Sequence, residues 1–171
     1  MNFFEIAAVR YSHRTKYTSD KVSEADLTKI ITAATQAPSG CNAQTTYFTV
    51  VTNPALLVKL AEIIQSDATR TATAMIVVAT EKVTFDFGLD FEVEDYAAAV
   101  QNILLSATAL GYASCWYDGM SRLNGNDKAI AKLLDIPETR QVRTILPIGI
   151  PEEVGSQAKR KPLQERIDWK K

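Results

Sequence analysis

The chain is poor in the residues that bind metals. Its 171 residues include one histidine, His13, and two cysteines, Cys41 and Cys115. A protein-only zinc site draws four ligands from such residues, so none is expected. Two cysteines cannot build a disulfide framework, and free thiols in a cytoplasmic setting are the expectation. Neither sign of charge is in excess: 19 Lys and Arg stand against 20 Asp and Glu, a net charge of -1. A duplex nucleic-acid partner, which needs a broad basic surface, is therefore not expected. Long apolar runs are missing too. The most apolar stretch, Tyr96 to Tyr112, carries Gln101 and Asn102 in its middle and reads as a buried helix, not a membrane span. Met1 to Arg10 lacks the basic start and apolar core of a secretory signal. No Gly-x-Gly-x-x-Gly follows a strand, so a Rossmann dinucleotide site is not indicated.

What is present is the composition of a globular protein, 46% hydrophobic and 23% charged. One domain over residues 1–171 can bury about 70% of its unfolded surface. Asn2 to Val9 reads as a short helix. Ser23 reads as an N-cap with Asp26 three residues on, opening a helix over 23–36 that Pro38 ends. Pro38 to Gln44 is a polar loop, and Thr46 to Thr52 is rich enough in β-branched and aromatic residues to be a strand. Asn53-Pro54 starts a helix that runs to Gln65. Ala74 to Thr80 is continuously apolar, the mark of a central strand covered on both faces. Phe91 to Leu110 is a long helix stopped by Gly111, in which Ala97, Ala98, Ala99 and Ala107 permit close backbone approach. Ala113 to Tyr117 is a third strand. Asn126 caps a helix through Leu134, and Val142 to Ile150 is a fourth strand in which Pro147 implies an edge or a bulge. This irregular mixture is an α+β pattern.

Four segments carry candidate chemistry. Arg10-Tyr11-Ser12-His13-Arg14 places two guanidinium forks and a hydroxyl together, a set suited to a phosphate monoester. Taken alone, such a segment is more often a solvated loop after a helix. Ala37-Pro38-Ser39-Gly40-Cys41-Asn42-Ala43-Gln44 offers a close backbone approach at glycine and amide side chains that read the edge of a planar ring. It can also be a plain helix-to-strand connection. Gly111 to Gly119 includes Trp116, Tyr117, Asp118 and Gly119, a strand end that can aim successive N–H groups at one acceptor, or simply an aromatic core strand. Lys159-Arg160-Lys161 is a basic run in the tail.

In this order the segments resemble the nitroreductase family. The resemblance covers nearly the whole chain: R-x-S-x-R, A-P-S-G-x-N-x-Q, D-Y-A-A-A-V-Q-N-I-L-L-S-A-T-A-L-G-Y, S-C-W-Y-D-G, L-P-I-G-I-P and K-R-K-P-L-Q-E. It implies a nitroreductase-like fold, a central mixed sheet flanked by helices in an intertwined homodimer, with FMN bound between the subunits. By resemblance, Arg10, Tyr11, Ser12 and Arg14 hold the phosphate, ribityl chain and O2 side of FMN. Pro38, Ser39, Gly40, Asn42 and Gln44 come from the other subunit to the ring. Trp116 and Tyr117 lead to Asp118 and Gly119, whose amides meet flavin N5 and O4, and Lys159 and Arg160 return to the phosphate. The implied activity is NAD(P)H-dependent reduction of nitroaromatics, quinones or related acceptors by a ping-pong route, with the chemistry at flavin N5 and no catalytic side chain. The same scaffold also implies two alternatives, a specialised dehydrogenase, dehalogenase or flavin-converting enzyme, and a non-catalytic flavin binder. The chain departs from the family at Thr45 and Thr46, where members often carry Pro and Trp. It is also short, and residues 81–95 stand where larger members cover the flavin.

Overall fold

The computed structural model describes residues 1–171. Its elements in chain order are α1 (Phe3–Val9), α2 (Glu24–Thr35), β1 (Thr46–Val51), α3 (Pro54–Ile64), α4 (Asp67–Thr71), β2 (Ala74–Glu81), α5 (Glu92–Ala109), β3 (Ala113–Ser114), α6 (Asp118–Arg122), α7 (Asn126–Leu133) and β4 (Arg140–Gly149). Short 3-10 turns occupy Gly40–Asn42, Leu123–Gly125 and Leu163–Glu165.

The helix starts follow capping chemistry. Ser23 Oγ accepts from the Asp26 amide at 3.1 Å, and Asn53 Oδ1 accepts from Ala55 and Leu56 at 2.9 and 3.2 Å. Each oxygen satisfies donors that a first helical turn leaves free. Gly111 follows α5 with φ +87°, a conformation that costs glycine little. Asn126 is not a cap: it is the first residue of α7, behind a left-handed Gly125, and its side chain donates to the Met120 carbonyl.

The four strands form one sheet in the order β1-β2-β4-β3. Every strand pair is antiparallel, so the parallel component of the expected mixed sheet is reduced to a single bridge between Ser12 and Ser114. β2 is central, as its continuous apolar run requires, and its residues alternate between two cores. Met75, Val77 and Ala79 face Leu60, Ile64 and Ile130 of α3 and α7. Ala74, Ile76 and Val78 face Ile30 of α2 with Val100, Ile103 and Ala107 of α5. Within α5, Ala99 and Ala107 are buried, whereas Ala97 and Ala98 are only half-buried.

The expected irregularity in β4 exists, but at Arg143 and not at Pro147. The register steps from Val78↔Thr144 to Ala79↔Val142, which leaves Arg143 as the extra residue of a bulge. The bulge moves Val142 to the α3/α7 core, although its parity matches that of Leu146 and Ile148 on the other face. It also turns Arg143 toward α5. β4 is an interior strand, and Pro147 is tolerated there because β3 pairs only Ile148 and Gly149. β3 ends at Ser114, so of the expected strand 113–117 only the first two residues form a ladder, with Tyr117 making an isolated bridge to Ile145.

Candidate functional site

Residues 10–17 leave α1 and run beside the β3 end of the sheet. Ser12 bridges Ser114, and the His13 amide donates to the Ser114 carbonyl at 3.0 Å. This brings Arg10, Ser12 and Arg14 to the short β3 edge. Arg10 is half-buried and Arg14 is exposed, with Arg14 Nη1 donating to the Ser12 carbonyl at 3.4 Å. Burial pushes the Cys115 thiol up, while Arg14, Ser12 and Arg10, in that order, pull it back. His13 does not belong to this set. Its ring is buried between Tyr11 and Tyr17, with Nε2 at 3.0 Å from the Lys16 carbonyl, a structural role.

The tail returns to the same place. Gln157 Nε2 donates to the carbonyls of Ala7 and Arg10, each at 3.1 Å. Gly155 lies so close to Tyr11 that a Cβ there would meet the ring at 2.6 Å. Lys159 and Arg160 follow Gln157 by two and three residues, both exposed.

The third segment is divided by the sheet. Tyr117 packs its side chain into the α3/α7 core, leaving only its backbone for a ligand. Trp116 packs toward the α5 core, edge-on to Tyr96 with centroids 6.1 Å apart. Asp118 and Gly119 do not end a strand; they open α6. Their amides stand in a first helical turn, where no intrahelical acceptor exists, so the expected donors are supplied by a helix start. The Asp118 carboxylate accepts from the Tyr96 hydroxyl at 2.7 Å and pairs with Arg122.

The loop of the second segment is strained. Cys41, Asn42 and Gln44 have φ of 49°, 56° and 50°. Non-glycine residues rarely adopt this region, and such strain persists only where the surroundings hold it. Ser39 Oγ accepts from the Gln44 amide at 3.0 Å. Asp95, 4% exposed, accepts from the Gly40 amide at 2.8 Å and from the Thr45 hydroxyl at 2.6 Å. Pro38, Asn42 and Gln44 remain exposed. A cleft of about 130 Å³ beside the loop is lined by Pro38, Ser39, Gln44, Thr46, Asp95 and Ala99, among others. A wider groove of about 1020 Å³ lies between α2, β1 and α3 and contains none of the candidate residues.

Three groups were not visible as site features in the sequence. Asp95 and Tyr96 are neighbours on α5 that hold the two candidate ring-facing segments, and the signal available was an acid and a phenol opening an otherwise apolar helix. The third is Arg143, which donates from Nε to Thr80 at 2.8 Å and pairs with buried Glu92 at 3.3 Å.

Several polar atoms around this region are enclosed yet lack a hydrogen-bond partner: Tyr11 Oη, Ser114 Oγ and Trp116 Nε1. Buried polar groups normally find partners. They belong to chain neighbours of Ser12 and of Ser114, with Tyr11 packed on the α3/α7 side of the sheet and Trp116 on the α5 side. The donors left for a ligand are the guanidiniums of Arg10 and Arg14, the Ser12 hydroxyl and the first-turn amides of α6, a set suited to an anionic group.

The fold is thus a four-stranded antiparallel sheet with a strained polar loop leading into β1 and a basic segment beside β3, and sequence comparison gives its class. The nitroreductase family model matches residues 7–89 and 64–150, and the chain belongs to that family. A protein of Archaeoglobus fulgidus, provisionally named an NADH dehydrogenase/NAD(P)H nitroreductase, is 35% identical over 80% of this chain and 79% of its own. An FMN-dependent nitroreductase of Clostridium difficile R20291 superposes with a TM-score of 0.83 at 27% identity, covering 98% of this chain and 99% of its own. A nitroreductase of Bacteroides fragilis with bound FMN shares the fold, with a TM-score of 0.80 at 24% identity and full coverage of both chains. No helix of the structure is long and apolar enough to cross a membrane.

Proposed function

We propose that this chain is an FMN-dependent oxidoreductase that takes electrons from NAD(P)H and delivers them to nitroaromatics, quinones or related acceptors. The observation that supports the reading is the placement of Arg10, Ser12 and Arg14 beside the β3 end, where Ser12 bridges Ser114 and Gln157 ties the tail to Arg10. When bound, FMN supplies the redox chemistry, and the protein binds, orients and tunes it.

In this reading Arg10 and Ser12 grip the phosphate and ribityl chain, with Lys159 and Arg160 beside them because Gln157 ties the tail to Arg10. Arg14 places positive charge near the edge that becomes anionic on reduction and favours the reduced cofactor. The amides of Asp118 and Gly119 hold the ring edge at N5 and O4. Pro38, Ser39, Gly40, Asn42 and Gln44 line the ring of the partner's cofactor. The two substrates share one cleft and bind in turn, which gives ping-pong kinetics.

A homodimer is supported by apolar surface that one chain leaves bare. α1 buries no residue, and Phe3 and Phe4 are 62% and 81% exposed. In the tail, Leu163 and Trp169 are 66% and 72% exposed. Phe3 and Phe4 stand edge to face with centroids 5.8 Å apart, an apolar pair that a partner subunit would cover.

The test is flavin titration of purified protein with light scattering. The expected result is a yellow dimer releasing one FMN per chain on denaturation, and an Arg10→Ala variant that binds FMN about tenfold or more weakly, the weight of a charge-assisted hydrogen bond. A colourless monomer, or equal titrations for parent and variant, would refute the reading. Intersecting double-reciprocal lines would remove the shared cleft.

A further inference from the structure

We propose that Asp95 is a positioning residue: it holds residues 40–45 in their strained form and thereby builds the ring-lining wall of the flavin site. The first half rests on the structure alone; the second rests on the FMN reading above.

The two carboxylate oxygens of Asp95 are divided between the two ends of the strained stretch. Oδ1 takes the amide of Gly40, at its entrance, and Oδ2 takes the hydroxyl of Thr45, at its exit. Between them lie Cys41, Asn42 and Gln44, all at positive φ. The loop's own bonds, Asn42 to Ser39, Ala43 to Gly40 and Gln44 to Ser39 Oγ, are local and close no longer span. Asp95 is the tie that fixes both ends to a long helix.

Asp95 itself is buried and makes no ion pair; in the first turn of α5 its carboxylate is satisfied by these two donors. A buried carboxylate without its donors is strongly destabilised. The carboxylate and the strained loop are therefore mutually dependent, and the loop cannot relax to ordinary φ without stranding a charge. An apolar side chain at this point would leave the Gly40 amide and the Thr45 hydroxyl without their acceptor. What the carboxylate adds is a single loop conformation in which Pro38, Asn42 and Gln44 stay exposed and available to a ligand.

The experiment compares the full-length parent with Asp95→Asn and Thr45→Val, measuring hydrogen exchange by peptide, melting temperature and FMN dissociation constant. Asp95→Asn removes the charge, and Thr45→Val removes one donor from an otherwise intact site. Both variants should speed exchange in the 39–45 peptide about tenfold or more, leave β2 and α3 protected as in the parent, and weaken FMN about tenfold or more. If Asp95→Asn does not fold, Thr45→Val alone carries the measurement with the same expected outcomes. Unchanged exchange in 39–45, or an increase spread evenly over the chain, overturns the positioning role. Local loosening with parental FMN affinity overturns the link to the flavin wall. A parent that takes up no FMN sinks the functional reading, while the exchange data still decide what Asp95 does for the loop.

Discussion

The most discriminating single substitution at the candidate site is Gly40→Ala. An ideal Cβ on Gly40 would stand 2.3 Å from Cδ2 and Cγ of Phe91 and 2.5 Å from its Cβ. Carbon atoms rest at about 3.5–4.0 Å, so the two segments must part by about 1 Å or more. Phe91 cannot simply swing away, because its own Cβ is among the atoms struck, and its carbonyl accepts from the Asp95 amide at 2.9 Å. Its ring also leans on Phe85 and Phe87, with centroids 5.8 and 6.4 Å away. The displacement therefore falls on the loop, and it pulls the Gly40 amide away from Asp95.

Overpacking of this kind costs about 1–3 kcal/mol. Loss of the hydrogen bond to a charged acceptor adds about 1.5–3 kcal/mol if the amide is fully withdrawn. At about 2–4 °C per kcal/mol for a chain of this size, the melting temperature should fall by several degrees. FMN affinity should fall with it, because the moved loop carries Asn42 and Gln44. Gly119→Ala is the steric control. A Cβ at Gly119 meets nothing within 4 Å, and an alanine in α6 should leave stability equal or raise it by about 0.4–1 kcal/mol. Thermal melts of both apoproteins, followed by flavin titration, decide the matter. A Gly40→Ala protein that melts and binds flavin like its parent would show that the loop does not pack on Phe91 as described.

Three further outcomes follow from the same structure. Ala107→Leu, at a fully buried position where α5 meets the sheet, should cost about 1–3 kcal/mol in chemical denaturation; parental stability would mean that α5 is looser than its burial indicates. Arg143→Met strands the buried Glu92 carboxylate, one oxygen of which already lacks a partner, and should cost about 3–5 kcal/mol, whereas adding Glu92→Gln should recover much of that loss; additive costs would deny the pair its coupling. Burial, and then the hydrogen bond to Asp118, push the Tyr96 phenol up to about 12. The folded protein thus holds this proton more tightly than the unfolded chain, whose phenol ionises near 10, so the associated stability is complete below pH 10 and is lost as pH climbs toward 12. Spectrophotometric titration should show a late phenol that Tyr96→Phe removes, and an unchanged titration would place that proton elsewhere.

The sequence was legible where a residue's own chemistry settles its conformation. Ser23, Asn53 and Gly111 cap helices by side-chain or backbone properties that need no distant partner. The β2 run from Ala74 to Ala79 announced a covered central strand because both faces had to be apolar. What was hidden depended on partners far along the chain. The bulge at Arg143 arises from its pairing with Thr80 and Glu92, 63 and 51 residues away, and nothing local distinguishes it from the other polar residues that open β4. Pro147 drew attention to the wrong end of the same strand for that reason. α6 was missed because five residues carry too little periodicity, and Asp118-Gly119 looks the same at a strand end as at a helix start.

The candidate site divides along the same line. The residues expected to touch a ligand were readable, since Arg10, Ser12, Arg14, Asn42 and Gln44 advertise charge or hydrogen-bonding capacity directly. The residues that give them a geometry were not. Asp95 and Tyr96 sit side by side in α5, one bonded to the 40–45 loop and the other to Asp118, so one helical turn sets the position of two walls. In the proposed dimer the loop serves the partner's cofactor and Asp118 serves the chain's own. Movement of α5 at this turn would then be felt at both flavins. A shift of the Asp95 tie and a shift of the Tyr96 tie cannot be made independently without bending the helix, whose buried Val100, Ile103 and Ala107 pack on the sheet behind them. The rigidity of the apolar seam is thus what gives two polar side chains authority over the site.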